Sequence, residues 1–194
     1  NRKNVGFARA CNQALWMSNG RYPLILNPDT VVQGDALDHL VEFMDAHPTA
    51  GICSPRLVYP DGKLQPSCRQ FPTILVLLLR ITRVECFIPW PVRHYLMEDW
   101  DHSSIREVDW VTGACMILRR KALEEVGFLD GEFFMYYEDT DLCFRLHQKG
   151  WKVFYNPSIT VLHNHQRMSA RLFPNKLSFF QAKSLLRLWQ KQRL

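Results

Sequence analysis

Residues 21–26 carry Tyr22, Leu24, Ile25 and Leu26, and this apolar run stops abruptly at Asn27-Pro28-Asp29-Thr30. So short a run, closed by turn formers, reads as a buried strand. Helical periodicity lies on both sides of it. Upstream, Val5, Ala8, Cys11 and Leu15 recur at helix spacing over residues 5–17, with Asn19-Gly20 as the stop. Downstream, Asp35 stands in capping position before a helix with Leu37, Leu40, Val41 and Met44 on one face, ending before Pro48. Residues 51–59 form the next strand. This alternation predicts an α/β fold built on a mostly parallel mixed sheet with flanking helices. In such sheets ligands sit outside the carboxyl ends of the strands. Asn27-Pro28-Asp29 is therefore a candidate ligand turn, while the same three residues also favour turns for purely local reasons.

Beyond the second strand, Pro60-Asp61-Gly62 is a turn into an extended piece over residues 63–71. Residues 72–104 have little pattern and include Pro89, Trp90, Pro91 and Trp100. An insertion of that length is uncommon in a compact domain unless it covers a site or binds something. Residues 108–118 read as one β-branched and aromatic strand with Gly113 inside it, a position that marks ligand approach, a bulge or tight packing. A short helix over residues 121–126 follows. Residues 151–155 form a strand stopped by Asn156-Pro157, and residues 159–162 form a last one ending at His163-Asn164-His165.

The 194 residues suit one domain with a sizeable core. The longest apolar run, residues 74–79, is too short to span a bilayer. Six cysteines without a C-x-x-C pair give neither a zinc knuckle nor a disulfide framework, so reduced thiols and a cytoplasmic setting are the default. A net charge of +5 suits nucleotide phosphates, an anionic membrane surface or nucleic acid. Dispersed basic residues and the lack of a recognition motif argue against nucleic acid.

Chemistry concentrates in residues 127–150. Phe133, Phe134, Tyr136 and Tyr137 run directly into Glu138, Asp139 and Asp141. Acids in a first helical turn complement the helix dipole, and Asp141 has Arg145 four residues on as an ion-pair partner. A second acid beside aromatic rings needs another explanation, since partial desolvation raises a carboxylate toward a usable base. Glu138-Asp139 is thus the candidate catalytic spot. Asp29 and His163, supplied by two strand ends, can share a divalent cation and leave positions open for substrate phosphate oxygens. His165 would face the same side as His163, and spacing does not choose between them.

Six motifs follow one another over residues 1–170: Asn4-Val5-Gly6-Phe7-Ala8 with Asn12, Leu26-Asn27-Pro28-Asp29, Pro60-Asp61-Gly62, Trp110-Val111-Thr112-Gly113-Ala114, Phe133-Phe134-Met135-Tyr136 with Glu138-Asp139-Thr140-Asp141-Leu142, and His163 with Ser169. In order and wording they resemble the family 2 glycosyltransferases, which have a nucleotide-sugar-binding fold of the GT-A kind, and most of all the bacterial rhamnosyltransferase-like branch. The resemblance implies transfer of a sugar, with inversion, from a nucleotide diphosphate donor to a hydroxyl of a glycan or lipid-linked acceptor. The donor suggested by the branch is dTDP-rhamnose. Asp29 is similar to the second acid of the Asp-x-Asp motif and would hold Mg²⁺ or Mn²⁺ on the diphosphate. Asp139 matches the general base, with Glu138 beside it, and His163 matches the histidine that completes metal or phosphate binding. Asn4, Gly6, Asn12, Asn27, Gly113 and Ala114 fall in segments expected to touch donor or acceptor.

Departures accompany the match. Gly127-Phe128-Leu129-Asp130-Gly131 replaces the usual Gly-Gly-Phe-Asp-Glu, and Asn164-His165-Gln166-Arg167 replaces a glycine-rich turn, so His165 shares or replaces the role of His163. The family's opening βαβα unit, which holds base and ribose, is expected ahead of Asn1 as on the order of 60 residues or more. The expectation is an N-terminally incomplete GT-A fold with an exposed sheet edge prone to self-association. The domain covers residues 1–170, and residues 171–194 form a basic amphipathic tail with Leu177, Phe180, Leu185, Leu188 and Trp189. That tail either packs back on the domain or lies on an anionic membrane as an interfacial helix, which would place the protein peripherally on the inner face of the membrane. The alternative to an enzyme is an inactive remnant that binds a membrane or partner.

Overall fold

The computed structural model describes residues 1–82, 84–164 and 176–192. His165 and Ser169 lie outside them. Five strands lie side by side in the order β1 (Leu24–Leu26), β8 (Cys115–Leu118), β3 (Ala50–Val58), β9 (Lys152–His163) and β2 (Thr30–Val32). β4 (Leu64–Gln65) pairs with β3, β6 (Arg106–Glu107) with β9, and β5 (Cys68–Arg69) with β7 (Trp110–Val111) in a separate ribbon. Alternation along the strands divides the core. Ile52, Met116, Leu118 and Val153 face α1 (Phe7–Met17), α5 (Arg120–Val126) and α6 (Glu138–Gln148), whereas Cys53 and Ile117 face α2 (Ala36–Ala46). The insertion holds α3 (Ile74–Thr82), a 3₁₀ turn (Val84–Cys86) and α4 (Trp90–Tyr95). α7 (Lys176–Gln192) closes the described chain.

The mixed α/β sheet with flanking helices matches expectation, but predominance of parallel pairing does not. Among the described strands only β3 and β9 pair parallel, because β8 runs in reverse between β1 and β3 and the short strands β2, β4 and β6 all pair antiparallel. Residues 108–118 are two strands rather than one. Thr112 N–H donates to Ser67 O (2.8 Å), extending the register of the β5–β7 ribbon, while Gly113 N–H leaves it for Asp139 Oδ2 (3.0 Å). Lys152–His163 is one strand where two were expected, since Pro157, which has no N–H, falls in a bulge where Pro55 pairs with Asn156 and Arg56 with Thr160. Asp35 precedes α2 without a capping bond, and Leu37 is exposed while Phe43 fills the core.

The tail takes the packed alternative. Leu188 and Ser184 are buried, Ser184 O–H donates to Met135 O (2.8 Å), and Phe180 stacks on Phe134 at 4.4 Å. Arg187 and Lys191 both reach Asp130 (2.8 and 2.9 Å), and Lys191 Nζ lies 2.6 Å from Asp141 Oδ1. Burial alone would raise the Asp130 carboxyl, yet the Lys191, Glu132 backbone and Arg187 donors hold it down to about 2.

Candidate active site

The dipeptide Gly113-Ala114, which joins β7 to β8, is the hub of the site. On one side Gly113 N–H holds the Asp139 carboxylate; on the other Ala114 C=O accepts Asn27 N–H (2.8 Å) at the head of the Asn27-Pro28-Asp29 turn. Asp29 O in turn accepts Asn164 N–H (2.8 Å), so the turn is fastened to the ends of two different strands. A Cβ at Gly113 would meet the Phe7 ring at 3.6 Å, an ordinary contact, so packing does not demand glycine there.

Glu138 and Asp139 open α6 in unlike surroundings. Tyr136 and Tyr137 before them both adopt the left-handed region, at φ 70° and 67°. Two successive non-glycine residues there are costly, and such strain gathers at functional sites. Asp139 Oδ2 takes Gly113 N–H, and Oδ1 takes Thr140 N–H at 2.8 Å. Burial raises the Asp139 carboxyl, opposed by these two donors and by the charge of Arg69. Glu138 is buried, its Oε2 has no hydrogen-bond partner among the described residues, and burial followed by the Asp139 charge pushes it up to about 8. Asp139 thus has two N–H donors and a nearby cation to support its charge, whereas Glu138 Oε2 has no donor among the described residues. Two bonds leave Asp139 further acceptor capacity for an incoming hydroxyl.

Asp29 and His163 do come together. His163 Nε2 lies 3.1 Å from Asp29 Oδ1, and its Nδ1 lies 2.8 Å from Gln65 Oε1. With Nδ1–H directed at the Gln65 oxygen, Nε2 and the carboxylate oxygen need a second ring proton or a cation between them. Two ligands at right angles on a Mg²⁺- or Mn²⁺-sized ion would be about 3.0 Å apart, so this pair fits as two of its ligands. Among the described residues no third His, Cys, Asp or Glu joins them, which leaves the other positions to substrate oxygens and water.

The remaining expected residues are structural neighbours of this hub. Asn4 Oδ1 accepts Gly6 N–H (3.0 Å). Gly6 has φ 87°, and a Cβ there would fall 2.6 Å from Phe134 O, so only glycine lets α1 dock on the aromatic run. Asn12 bonds the Leu129 backbone in both directions (2.6 and 3.1 Å), fixing the loop before α6. Asn27 O accepts both the N–H and O–H of Thr30.

Gln65, Ser67 and Arg69 were absent from the sequence-based site. Gln65 supports His163, Ser67 O accepts Thr112 N–H, and Arg69 lies over the Trp110 ring at 5.3 Å while its charge acts on Asp139. Their signal was a polar residue at every second position against Pro66 and core-buried Cys68. Four residues span at most about 14 Å, so this run links the surroundings of the Asp29–His163 pair to those of Asp139 over a short distance.

Comparison with known proteins places the chain in a family. The family model described as glycosyl transferase family group 2 matches residues 24–191. An N-acetylglucosaminyl-diphospho-decaprenol L-rhamnosyltransferase of Mycobacterium tuberculosis is 32% identical over 186 residues, covering 87% of this chain and 58% of that protein. The rhamnosyltransferase WbbL of Escherichia coli K12 is 28% identical over 181 residues, covering 89% and 63%. The chain therefore spans about three-fifths of the length of these relatives. Among solved structures, GalNAc-T7 with UDP, GalNAc and Mn²⁺ superposes with a TM-score of 0.64 at 13% identity, over 98% of this chain and 35% of that one. The mannosyltransferase PcManGT of Pyrobaculum calidifontis, with GDP-Man and Mn²⁺, gives 0.50 at 18% identity, over 84% and 37%. Both likenesses concern the fold, which is that of GT-A glycosyltransferases.

Proposed function

Because the chain belongs to glycosyl transferase family group 2, we propose that it transfers a sugar, with inversion, from a nucleotide diphosphate donor to a hydroxyl of a glycan or lipid-linked acceptor. The rhamnosyltransferase relatives favour dTDP-rhamnose as donor. Asp139 removes the proton of the acceptor hydroxyl as its oxygen bonds to the anomeric carbon. The bond from that carbon to the diphosphate oxygen breaks on the opposite face, and its electron pair leaves with the nucleoside diphosphate. One base and no protein nucleophile suffice for such a single displacement. Asp29 and His163 would hold Mg²⁺ or Mn²⁺, which when bound neutralises charge on the departing diphosphate. Gly113-Ala114 keeps base and metal pair in fixed relation.

The observation that carries the reading is the Asp139 carboxylate fastened to Gly113 N–H, one residue from the carbonyl that fastens the Asp29 turn. Calorimetric titration of dTDP-rhamnose and UDP-sugars into the chain with Mn²⁺ tests it. Metal-dependent binding should vanish in Asp29→Ala and persist in Asp139→Asn, which should not transfer sugar. Nucleotide-sugar binding by a folded chain that ignores Mn²⁺ and survives Asp29→Ala would overturn the reading.

A lipid-linked acceptor brings the site to a bilayer on the inner face of the membrane. Among the described residues no helix is long and apolar enough to cross one. α7 is committed to the domain through Leu188 and Asp130, whereas Leu75, Phe87, Ile88 and Trp90 of the insertion are exposed. The insertion begins within five residues of Arg69, at the Asp139 end of the site. It is the surface that meets the acceptor's membrane.

A further inference from the structure

α7 presents Phe180, Ser184, Arg187, Leu188 and Lys191 on one helical face. A helix docked for burial alone shows an apolar stripe there, yet Ser184, Arg187 and Lys191 are polar or charged. All three reach the stretch that leads into Glu138-Asp139. Arg187 donates to both oxygens of Asp130 (3.1 and 2.8 Å), Ser184 O–H donates to Met135 O (2.8 Å), and between them Phe180 stacks on Phe134. Lys191 Nζ lies 2.9 Å from the Asp130 carboxylate and 2.6 Å from that of Asp141. The contacts therefore fall on both sides of Tyr136-Tyr137. Met135 is the residue before that pair, and Asp141 stands in the first turn of the helix after it.

That placement bears on how α6 begins. Both tyrosines hold positive φ, and residues other than glycine stay there only where their surroundings fix them. Tyr137 is also the N-cap of α6 and makes no side-chain capping bond, so the start of the helix depends on what holds its neighbours. On the α1 side Phe7 N–H donates to Phe134 O (2.9 Å); on the α7 side stand Ser184 and Lys191. We propose that Ser184 and Lys191 are positioning residues for the base: they fix the chain on the two sides of Tyr136-Tyr137 and thereby keep the Asp139 carboxylate on Gly113 N–H. They act through Asp139, so their role rests on the reading of Asp139 as the base. Released at either point, the pair can return to the right-handed or extended region, which turns the first residues of α6 away from Gly113. A misplacement of about 1 Å is enough to cost about 10²-fold in rate. Burial raises the Asp139 carboxyl and Gly113 N–H opposes that rise. With burial, Glu138 and the Arg69 charge unchanged, a carboxylate that has lost this donor takes its proton at higher pH.

Amide hydrogen exchange followed by NMR reads the placement without any substrate. Gly113 N–H is bonded to Asp139, whereas the adjacent Thr112 N–H is bonded to Ser67 O and serves as the internal control. Ser184→Ala and Lys191→Met should each speed exchange at Gly113 by about tenfold, the worth of one lost hydrogen bond, and leave Thr112 as it was. Ser184→Thr and Lys191→Arg, which keep the hydroxyl and the charge, should restore protection. Transfer from dTDP-rhamnose to a short-chain lipid-linked glycan is then followed against pH. Ser184→Ala, which alters no charge, should lower kcat about 10- to 100-fold with donor binding unchanged. It should also move the acid limb of kcat/KM to higher pH, and Ser184→Thr should return both to the native values. Native exchange at Gly113 in Ser184→Ala overturns the proposal. So does equal acceleration of Thr112 and Gly113, the mark of a merely structural prop, and so does a lower kcat with an unmoved acid limb. Gly113 released while transfer runs at the native rate would instead remove Asp139 from the role of base and leave its placement by α7 standing.

Discussion

Glu138 and Asp139 are adjacent in sequence, yet the structure gives them opposite tasks. Glu138 gains a proton on folding, because burial and then the neighbouring Asp139 charge raise it from 4.5 to about 8. The stability linked to that proton is whole below about pH 4.5 and is lost as pH rises through about 8. Urea unfolding of the native protein should therefore show falling stability across this window, and Glu138→Gln, which keeps the shape without the ionisation, should flatten the decline. Identical pH slopes for the two proteins would mean that Glu138 is not held protonated. Asp139→Asn should act differently, leaving stability and donor binding in place while kcat falls about 10²- to 10⁴-fold, the usual worth of a general base. A variant that loses donor binding along with turnover would point to a structural role. That an acid beside aromatic rings would be perturbed was legible from residues 133–139 alone. Which of the two keeps its charge was not, because the deciding donors, Gly113 and Arg69, come from elsewhere in the chain.

Helices and strands were legible wherever a local period decided them, as in α1, α2, β1 and β3, and misread wherever a distant partner did. Gly113 leaves the backbone pairing for Asp139, which breaks one expected strand, and pairing with β3 carries β9 past Pro157, which joins two. Arginines join the elements in the same long-range way. Arg119 donates to Met44 O and His47 O at the end of α2, and Arg120 to Leu15 O and Ser18 O at the end of α1. Arg145 of α6 donates to Val126 O, Gly127 O and Phe128 O at the end of α5, and to Asp141 within its own helix. Cations at helix C-termini satisfy orphan carbonyls and complement the dipole. Part of the basic surplus is thus structural. Sequence spacing suggested only an i,i+4 pair for Arg145, worth about 0.2–0.5 kcal/mol on a helix surface. Asp141 is buried and keeps Lys191 when Arg145 is lost, so Arg145→Met, which also frees three carbonyls, should cost about 2–3 kcal/mol in urea unfolding. Arg145→Lys should recover little, since one ammonium cannot reach three carbonyls and a carboxylate together. A loss below about 1 kcal/mol would show the joint to be dispensable.

At the scale of the whole molecule the question is how a chain without a membrane-crossing helix among its described residues would meet a lipid-linked acceptor. In the sequence only the basic tail was a candidate membrane surface, while the poorly patterned insertion was expected to cover a site or bind something. The sequence left the tail between packing back on the domain and lying on a membrane, because nothing local shows that Leu188 is buried and that Arg187 and Lys191 are engaged by Asp130. With the tail docked, the insertion presents the larger apolar surface, Phe87 being 83% exposed and Leu75 56%. Each such side chain moved from water into an acyl layer contributes about 1.5–3 kcal/mol, so a few suffice for peripheral attachment. The chain should float with anionic vesicles in a density gradient. Leu75→Glu combined with Phe87→Glu should abolish flotation without unfolding, because both side chains already face water. Leu186→Glu with Trp189→Glu, the exposed positions of α7, should leave flotation intact. Activity separates the surfaces further. The insertion variant should lose transfer to an acceptor embedded in vesicles and keep it toward a short-chain soluble acceptor, because Asp139, Asp29 and His163 are untouched. Flotation that survives the insertion variant and disappears with the α7 variant would return the membrane contact to the tail, and the docking of α7 through Asp130 would then have to be released at the bilayer.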